Sequence, residues 1–337
     1  MKRILVMGAG GFAGGYIVEE GLRRGYEVWA GVRATTSRRY LTDSRIRFIE
    51  FDFDADSAAE DMAERMRTAL PEGEKWDWII YNLGATKCLR FSDFSRINYD
   101  YLRYFCTALK LCDKIPECLL YISSLSAVGP AEEKSGRPIT EANIPIPNTR
   151  YGASKLKAEM LLKMEGIPHI IFRATGIYGP RDKDYYLMFK SIKSGFDFSV
   201  GYKPQSLTFI YVEDLARAIY DALARGKRGE TYNVAHPAVY TQGEFRKISA
   251  REMKKRVVIP VKVPLIGLKL VSVIAEKIGV AKGKPSTLNS DKYNIMAQRN
   301  WSVDVSKAER DFGFKPQIDL GEGVKRCVEW YKQEGWL

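Results

Sequence analysis

Seven residues near the N-terminus, Gly8-Ala9-Gly10-Gly11-Phe12-Ala13-Gly14, constrain this chain more than any others. They follow a short apolar run, residues 3–7, and precede apolar positions at helical spacing over 13–24. A strand entering a helix through such glycines permits a tight turn and close helix–sheet packing. It also presents free backbone N–H groups and the positive end of the helix dipole to an anion. At a strand-to-helix junction this pattern suits the pyrophosphate of a dinucleotide, which makes Gly8, Gly11, Phe12, Ala13 and Gly14 candidate cofactor contacts.

The rest of the first half supports that reading. Short apolar or β-branched runs at 27–32, 46–50, 78–81, 118–122 and 169–173 alternate with helical patterns at 57–69, 94–112 and 151–164. Such alternation predicts an α/β fold, a Rossmann-type doubly wound parallel sheet. After Gly179-Pro180 it weakens: 208–211 and 231–234 read as late strands around a helix at 212–224, and the remainder reads as helices. The expected organisation is a dinucleotide-binding domain over 1–178, with 208–244 returning to it. Residues 179–207 and 245–337 then form a smaller, mostly helical substrate lobe.

Composition narrows the function. Five cysteines with no metal-ligand spacing imply reduced, packed thiols, and only His169 and His236 are present, so proton chemistry falls on other side chains. With no signal-peptide pattern at the N-terminus, a cytoplasmic enzyme acting on a small molecule is expected. The net charge of +12 is read as a solvated surface with positive groups around a cofactor, because no nucleic-acid motif accompanies it. The most apolar helical stretch, 263–280, carries Lys269, Glu276 and Lys277, so stable membrane insertion is not expected. It is read as a core helix of the small lobe, with a lid over an apolar substrate or a membrane-surface contact as the alternatives.

The second strand selects the cofactor. An NAD site places a carboxylate at its end to bind the adenine ribose. Here the strand ends Gly31-Val32-Arg33, with Arg38 and Arg39 close behind and no carboxylate available. A guanidinium forms a fork to a 2′-phosphate, so NADP(H) is the expected cofactor, through Arg33 with Arg38 in support, and NAD(H) the alternative.

The proton chemistry falls on Tyr151-Gly152-Ala153-Ser154-Lys155, which opens a helical pattern and puts Tyr151 and Lys155 on one face. An ammonium beside a phenol favours the phenolate, and the same ammonium can hold a ribose. Ser124, ending the strand Leu120-Tyr121-Ile122-Ser123-Ser124, would face the same crevice and hold a substrate oxygen.

Together these residues resemble the extended short-chain dehydrogenase/reductases, the NAD-dependent epimerase/dehydratase superfamily. Further landmarks are Asn82-Leu83-Gly84-Ala85, the segment from Arg173 through Tyr178-Gly179-Pro180, and Tyr211-Val212-Glu213-Asp214. The resemblance implies that Asp52 and its neighbour Phe53 meet the adenine, and that Leu83, Gly84 and Ala85 line the cofactor. It further implies that Asn98 supports the active-site helix, that Asp214 caps a helix, and that two copies pair as a homodimer.

Within that superfamily, Leu125 and Ser126 stand where nucleotide-sugar dehydratases carry acidic residues. Gly176 stands where epimerases present an asparagine to the diphosphate. Val303-Asp304 and Phe312-Gly313-Phe314 are similar to the 3-beta-hydroxysteroid dehydrogenase branch, and Val32-Arg33 to dihydroflavonol-reductase-like members. The expectation is hydride transfer between NADP(H) and an alcohol or ketone on an apolar, sterol-like substrate. A nucleotide-sugar epimerase is the first alternative, and a non-catalytic NADP(H)- or RNA-binding relative the second.

Overall fold

The computed structural model describes residues 1–133 and 135–337. Its strands are β1 (Arg3–Met7), β2 (Glu27–Val32), β3 (Arg47–Glu50), β4 (Trp78–Tyr81), β5 (Cys118–Ser124), β6 (His169–Ala174), β7 (Gly176–Tyr178), β8 (Phe196–Val200), β9 (Phe209–Tyr211), β10 (Thr231–Val234) and β11 (Ile259–Val263). Its helices are α1 (Phe12–Arg23), α2 (Ala58–Ala69), α3 (Phe91–Ser95), α4 (Tyr101–Leu111), α5 (Arg150–Met164), α6 (Asp184–Lys193), α7 (Val212–Arg225), α8 (Gln242–Glu252), α9 (Leu265–Ala281), α10 (Ser290–Ala297), α11 (Ser306–Phe312) and α12 (Leu320–Gln333).

Seven strands form one sheet in the order β10-β6-β5-β4-β1-β2-β3, every pairing parallel. The chain runs outward from β1 to β3, then crosses back to β4 on the other side of β1. That reversal opens a crevice at the carboxyl ends of β1 and β4, where open α/β sheets bind ligands. The central strands are buried on both faces, so they read as continuous apolar runs rather than alternating ones. Ile4, Val6, Ile80 and Leu120 pack under α1 and α7, while Leu5, Ile79, Leu119 and Tyr121 pack under α2, α4 and α5.

Smaller pieces depart from the sequence reading. The helix expected over 94–112 is broken: α3 passes into a π-turn at Arg96–Asp100 before α4 begins. Two parallel pairs, β7 with β9 and β8 with β11, were not legible because each strand has three to five residues and its partner is distant in sequence. Within the segment assigned to the substrate lobe, residues 301–314 join the core of the large sheet, where Phe312 stacks on Phe172 of β6. Asp214 caps nothing of its own helix. It is buried within α7 and accepts the backbone N–H groups of Gln317 and Ile318, which pins the C-terminal segment to the sheet.

The largest departure is α9. The sequence reading makes it a core helix, yet only Leu268, Ser272 and Gly279 are buried, and its bulky residues face solvent.

Candidate active site

Between β1 and α1 the backbone is built for an anion. Gly8 adopts a left-handed conformation (φ 76°), and a side-chain carbon on Gly14 would overlap the Gly8 carbonyl, so α1 can pack this close only with glycine there. Gly11 caps α1 without a side-chain hydrogen bond, and no acidic residue occupies the first turn. The first N–H groups of α1 therefore remain available beside the loop, as a pyrophosphate requires. The residues present fit a dinucleotide.

On the other side of the crevice, Ser124 ends β5 and Tyr151 and Lys155 project from α5. Thr149 caps α5 by accepting the Gly152 N–H (2.9 Å), and Asp291 of α10 accepts the Tyr151 N–H (2.9 Å). Gly152 is obligatory because any side-chain carbon would strike the Ser126 carbonyl, so the helix lies tight against the loop leaving β5. Lys155 is buried, donates to the Ile122 carbonyl (2.9 Å) and lies over the Tyr121 ring (4.8 Å).

Electrostatics tune this pair. Burial pulls the Lys155 ammonium down to about 8, against the opposing pull of the Glu159 carboxylate one turn along. Burial raises the Tyr151 phenol above its ordinary value, and the neighbouring Ser124 hydroxyl offsets part of that rise. Burial and the Ser124 hydroxyl set this phenol, rather than the Lys155 ammonium, which donates to the Ile122 carbonyl. At neutral pH it is protonated, against the phenolate expected from the spacing.

The π-turn places Asn98. Its side chain is wholly buried, accepts from the Ala85 N–H (2.8 Å) and donates to the Ala85 carbonyl (3.1 Å) and to Ser154 Oγ (2.8 Å). It therefore ties the loop after β4 to α5, and a π-bulge at such a position is how a helix re-aims one side chain. A carbon on Gly84 would lie 2.9 Å from Lys155 Nζ and 3.0 Å from Asn98 Oδ1, and one on Gly8 would lie 3.0 Å from Leu83. The fold thus brings Gly8, Leu83, Gly84, Ala85, Asn98, Ser154 and Lys155 into one neighbourhood.

Other expected positions fare differently. Arg33 is exposed at the end of β2 and forms no ion pair among the described residues. Asp52 is exposed after β3. Arg38 is not a free support, because its guanidinium binds Glu50 (2.6 Å) and stacks on Phe48 (4.3 Å); Arg39 likewise binds Glu334 (2.7 Å). The Phe53 ring is buried and stacked on Tyr101 (4.8 Å), so only its backbone can face the crevice edge.

The sequence reading missed several residues around the site. Glu159 and Arg173 form a buried bidentate pair (2.7 Å and 3.1–3.2 Å), and Ser123 Oγ donates to the same carboxylate (2.5 Å). The available signal was Glu159 four residues beyond Lys155, a carboxylate on a helix face turned toward the sheet. Tyr185 of α6 was missed too. Its hydroxyl occupies the space any side chain at position 176 would need. Lys87 pairs with Asp184 nearby, and burial lowers the Lys292 ammonium in the same neighbourhood.

A Rossmann-type sheet with a glycine-rich anion loop and a Ser-Tyr-Lys constellation at its switch point defines a dinucleotide-binding α/β protein with oxidoreductase-type geometry. Residues 4–235 match the model of the NAD dependent epimerase/dehydratase family, and the chain belongs to that family. It is 26% identical over 200 residues to a dTDP-glucose 4,6-dehydratase of Shigella flexneri, matching 57% of this chain; the chain spans about half (50%) of that relative's length. It is 26% identical over 357 residues to a putative UDP-glucose 4-epimerase of Methanocaldococcus jannaschii, covering 98% of both chains. The fold also superposes on the UDP-glucuronic acid 4-epimerase of Bacillus cereus solved with NAD, with a TM-score of 0.75, 20% identity and coverage of 98% and 99%.

Proposed function

We propose that this chain is an NAD(P)-dependent oxidoreductase that interconverts a hydroxyl and a ketone on the sugar of a nucleotide sugar, most simply as an epimerase. The observation that carries the reading is the convergence of Ser124, Tyr151 and Lys155 beside the anion loop of α1. The end-to-end match to a putative UDP-glucose 4-epimerase supports the substrate class. Dehydration is disfavoured, because the chain leaves β5 through Leu125, which is buried, and Ser126, neither able to supply an acid or a base. The sterol-like substrate expected from sequence is disfavoured by relatives that act on nucleotide sugars, and the apolar side chains of α9, which face solvent, give it no pocket wall.

In this reading Gly8, Gly11 and Gly14 let the pyrophosphate approach the N-terminus of α1, Asp52 meets the adenine, and Leu83, Gly84 and Ala85 line the cofactor. The nicotinamide, when bound, accepts and returns the hydride. Ser124 holds the sugar oxygen, Tyr151 takes the hydroxyl proton and gives it back, and Lys155 stabilises the phenolate and binds the ribose. Asn98 acts through Ala85 and Ser154, as a positioning residue. Tyr185, in the space beside Gly176, supplies the hydroxyl that meets the diphosphate.

Arg33 is the group that favours NADP(H), an exposed guanidinium where NAD sites carry a carboxylate. The test combines cofactor and substrate. Calorimetric titration should show NADPH binding more tightly than NADH, with the difference lost in Arg33→Ala. Incubation with UDP-glucose or UDP-glucuronic acid should yield, by NMR, a product inverted at one sugar carbon. Reduction of apolar ketones without any conversion of a sugar nucleotide would sink the reading.

A further inference from the structure

We propose that the outward face of α9, with the adjoining β8/β11 ribbon, is a docking surface for an anionic lipid bilayer. The helix is built inside out. Its inner face carries Leu268, Ser272 and Gly279, while Ile266 (86% exposed), Leu270 (62%), Ile274 and Ile278 repeat every four residues on the outer face, with Val273 beside them. That orientation is fixed. Glu276 accepts from the Ser290 N–H (2.9 Å) and Oγ (2.6 Å) of α10. A rotation of α9 that turned its large side chains inward would break this pair.

The apolar surface continues beyond the helix. Pro264 joins α9 to β11, which pairs with β8, and this ribbon exposes Phe196, Phe198, Val257 (72%) and Ile259, with Tyr202 (69%) at its end. A solvent-facing patch of this extent needs an occupant.

Charge selects which one. Between residues 253 and 289 the chain has eight basic residues and one acidic residue, and that single carboxylate, Glu276, is turned inward onto Ser290. Lys254, Lys255, Arg256, Lys262, Lys269, Lys277, Lys282 and Lys284 are all exposed around the patch. A second copy of this chain would bring like charges together across an apolar interface that offers no carboxylate. An anionic bilayer accepts both components, apolar side chains at the headgroup boundary and lysines at the phosphates. The surface is peripheral rather than spanning, since no helix among the described residues is long and apolar enough to cross a membrane. Helix α10 packs against α9, and its Asp291 accepts the Tyr151 N–H.

Flotation with vesicles of one part phosphatidylglycerol to three parts phosphatidylcholine tests the idea on the full chain. The wild type should float with these vesicles and not with phosphatidylcholine alone, and added salt should release it. Leu270→Glu combined with Ile274→Glu should abolish flotation with turnover unchanged. Should that variant fail to fold, Lys269→Gln combined with Lys277→Gln decides, with binding expected to weaken roughly 30-fold. Equal behaviour toward neutral and anionic vesicles overturns the proposal. So does a concentration-dependent dimer that Leu270→Glu/Ile274→Glu converts to monomer, which would make a second copy the occupant.

Discussion

Helices α5 and α9 both place side chains against the usual rule, in opposite senses. The inner face of α5 buries Lys155 and Glu159, while α9 turns Ile266, Leu270 and Ile274 outward. On α5 each buried polar group is partnered: Lys155 by the Ile122 carbonyl, Glu159 by Arg173 and Ser123. On α9 these apolar groups stand about half or more exposed, Ile266 at 86%. The contrast teaches that inverted polarity inside the fold is stabilised by neighbours, whereas inverted polarity outside signals something beyond the chain.

The largest expected effect lies at the proposed catalytic residues of α5. Tyr151→Phe should lower turnover by roughly 10²- to 10⁴-fold while leaving dinucleotide affinity near the wild-type value, read by steady-state kinetics and calorimetry. Comparable turnover would remove Tyr151 from the mechanism and leave α5 a merely buried helix.

Next in size is stability. Glu159→Ala strands the Arg173 guanidinium in the core and should cost about 3–5 kcal/mol in urea unfolding. Ile266→Ser on α9, at a side chain 86% exposed, should cost less than about 0.5 kcal/mol. Similar losses at the two positions would show that α9 is packed in solution and would undo the contrast.

A pH-dependent effect within α5 is the titration of Lys155. Its folded value of about 8 lies below the ordinary 10.5, so the unfolded chain holds more protons between those values. Stability should therefore rise with pH across about 8 to 10.5, by on the order of 3 kcal/mol relative to Lys155→Met, whose curve lacks this component. A wild-type curve parallel to that of Lys155→Met would mean that burial does not depress this ammonium.

Much of the sheet was legible because its strands are doubly buried and its helices keep strong periodicity. β1, β2, β4 and β10 lie where their apolar runs place them, and α1, α5 and α7 begin within a residue of their expected starts. The π-turn at Arg96–Asp100 was not legible, because an inserted residue leaves helical periodicity nearly unchanged while re-aiming Asn98. The partners of Arg38 and Phe53 were not legible for a related reason: sequence shows a side chain's chemistry but not that Glu50 binds one and Tyr101 stacks on the other.

The glycine loop, the parallel pairing implied by strand–helix alternation and the Tyr151/Lys155 spacing were all readable from the chain, because each depends on backbone sterics or helix geometry within a few residues. Tertiary structure alone decided that Glu159 meets Arg173, that Tyr185 fills the place beside Gly176, and which face of α9 is hidden. Those outcomes depend on contacts between segments far apart in the chain. For α9, mean apolarity cannot report direction: a helix rich in Ile, Leu and Val satisfies a core or a surface equally until small residues such as Ser272 and Gly279 fix which side its neighbours can approach.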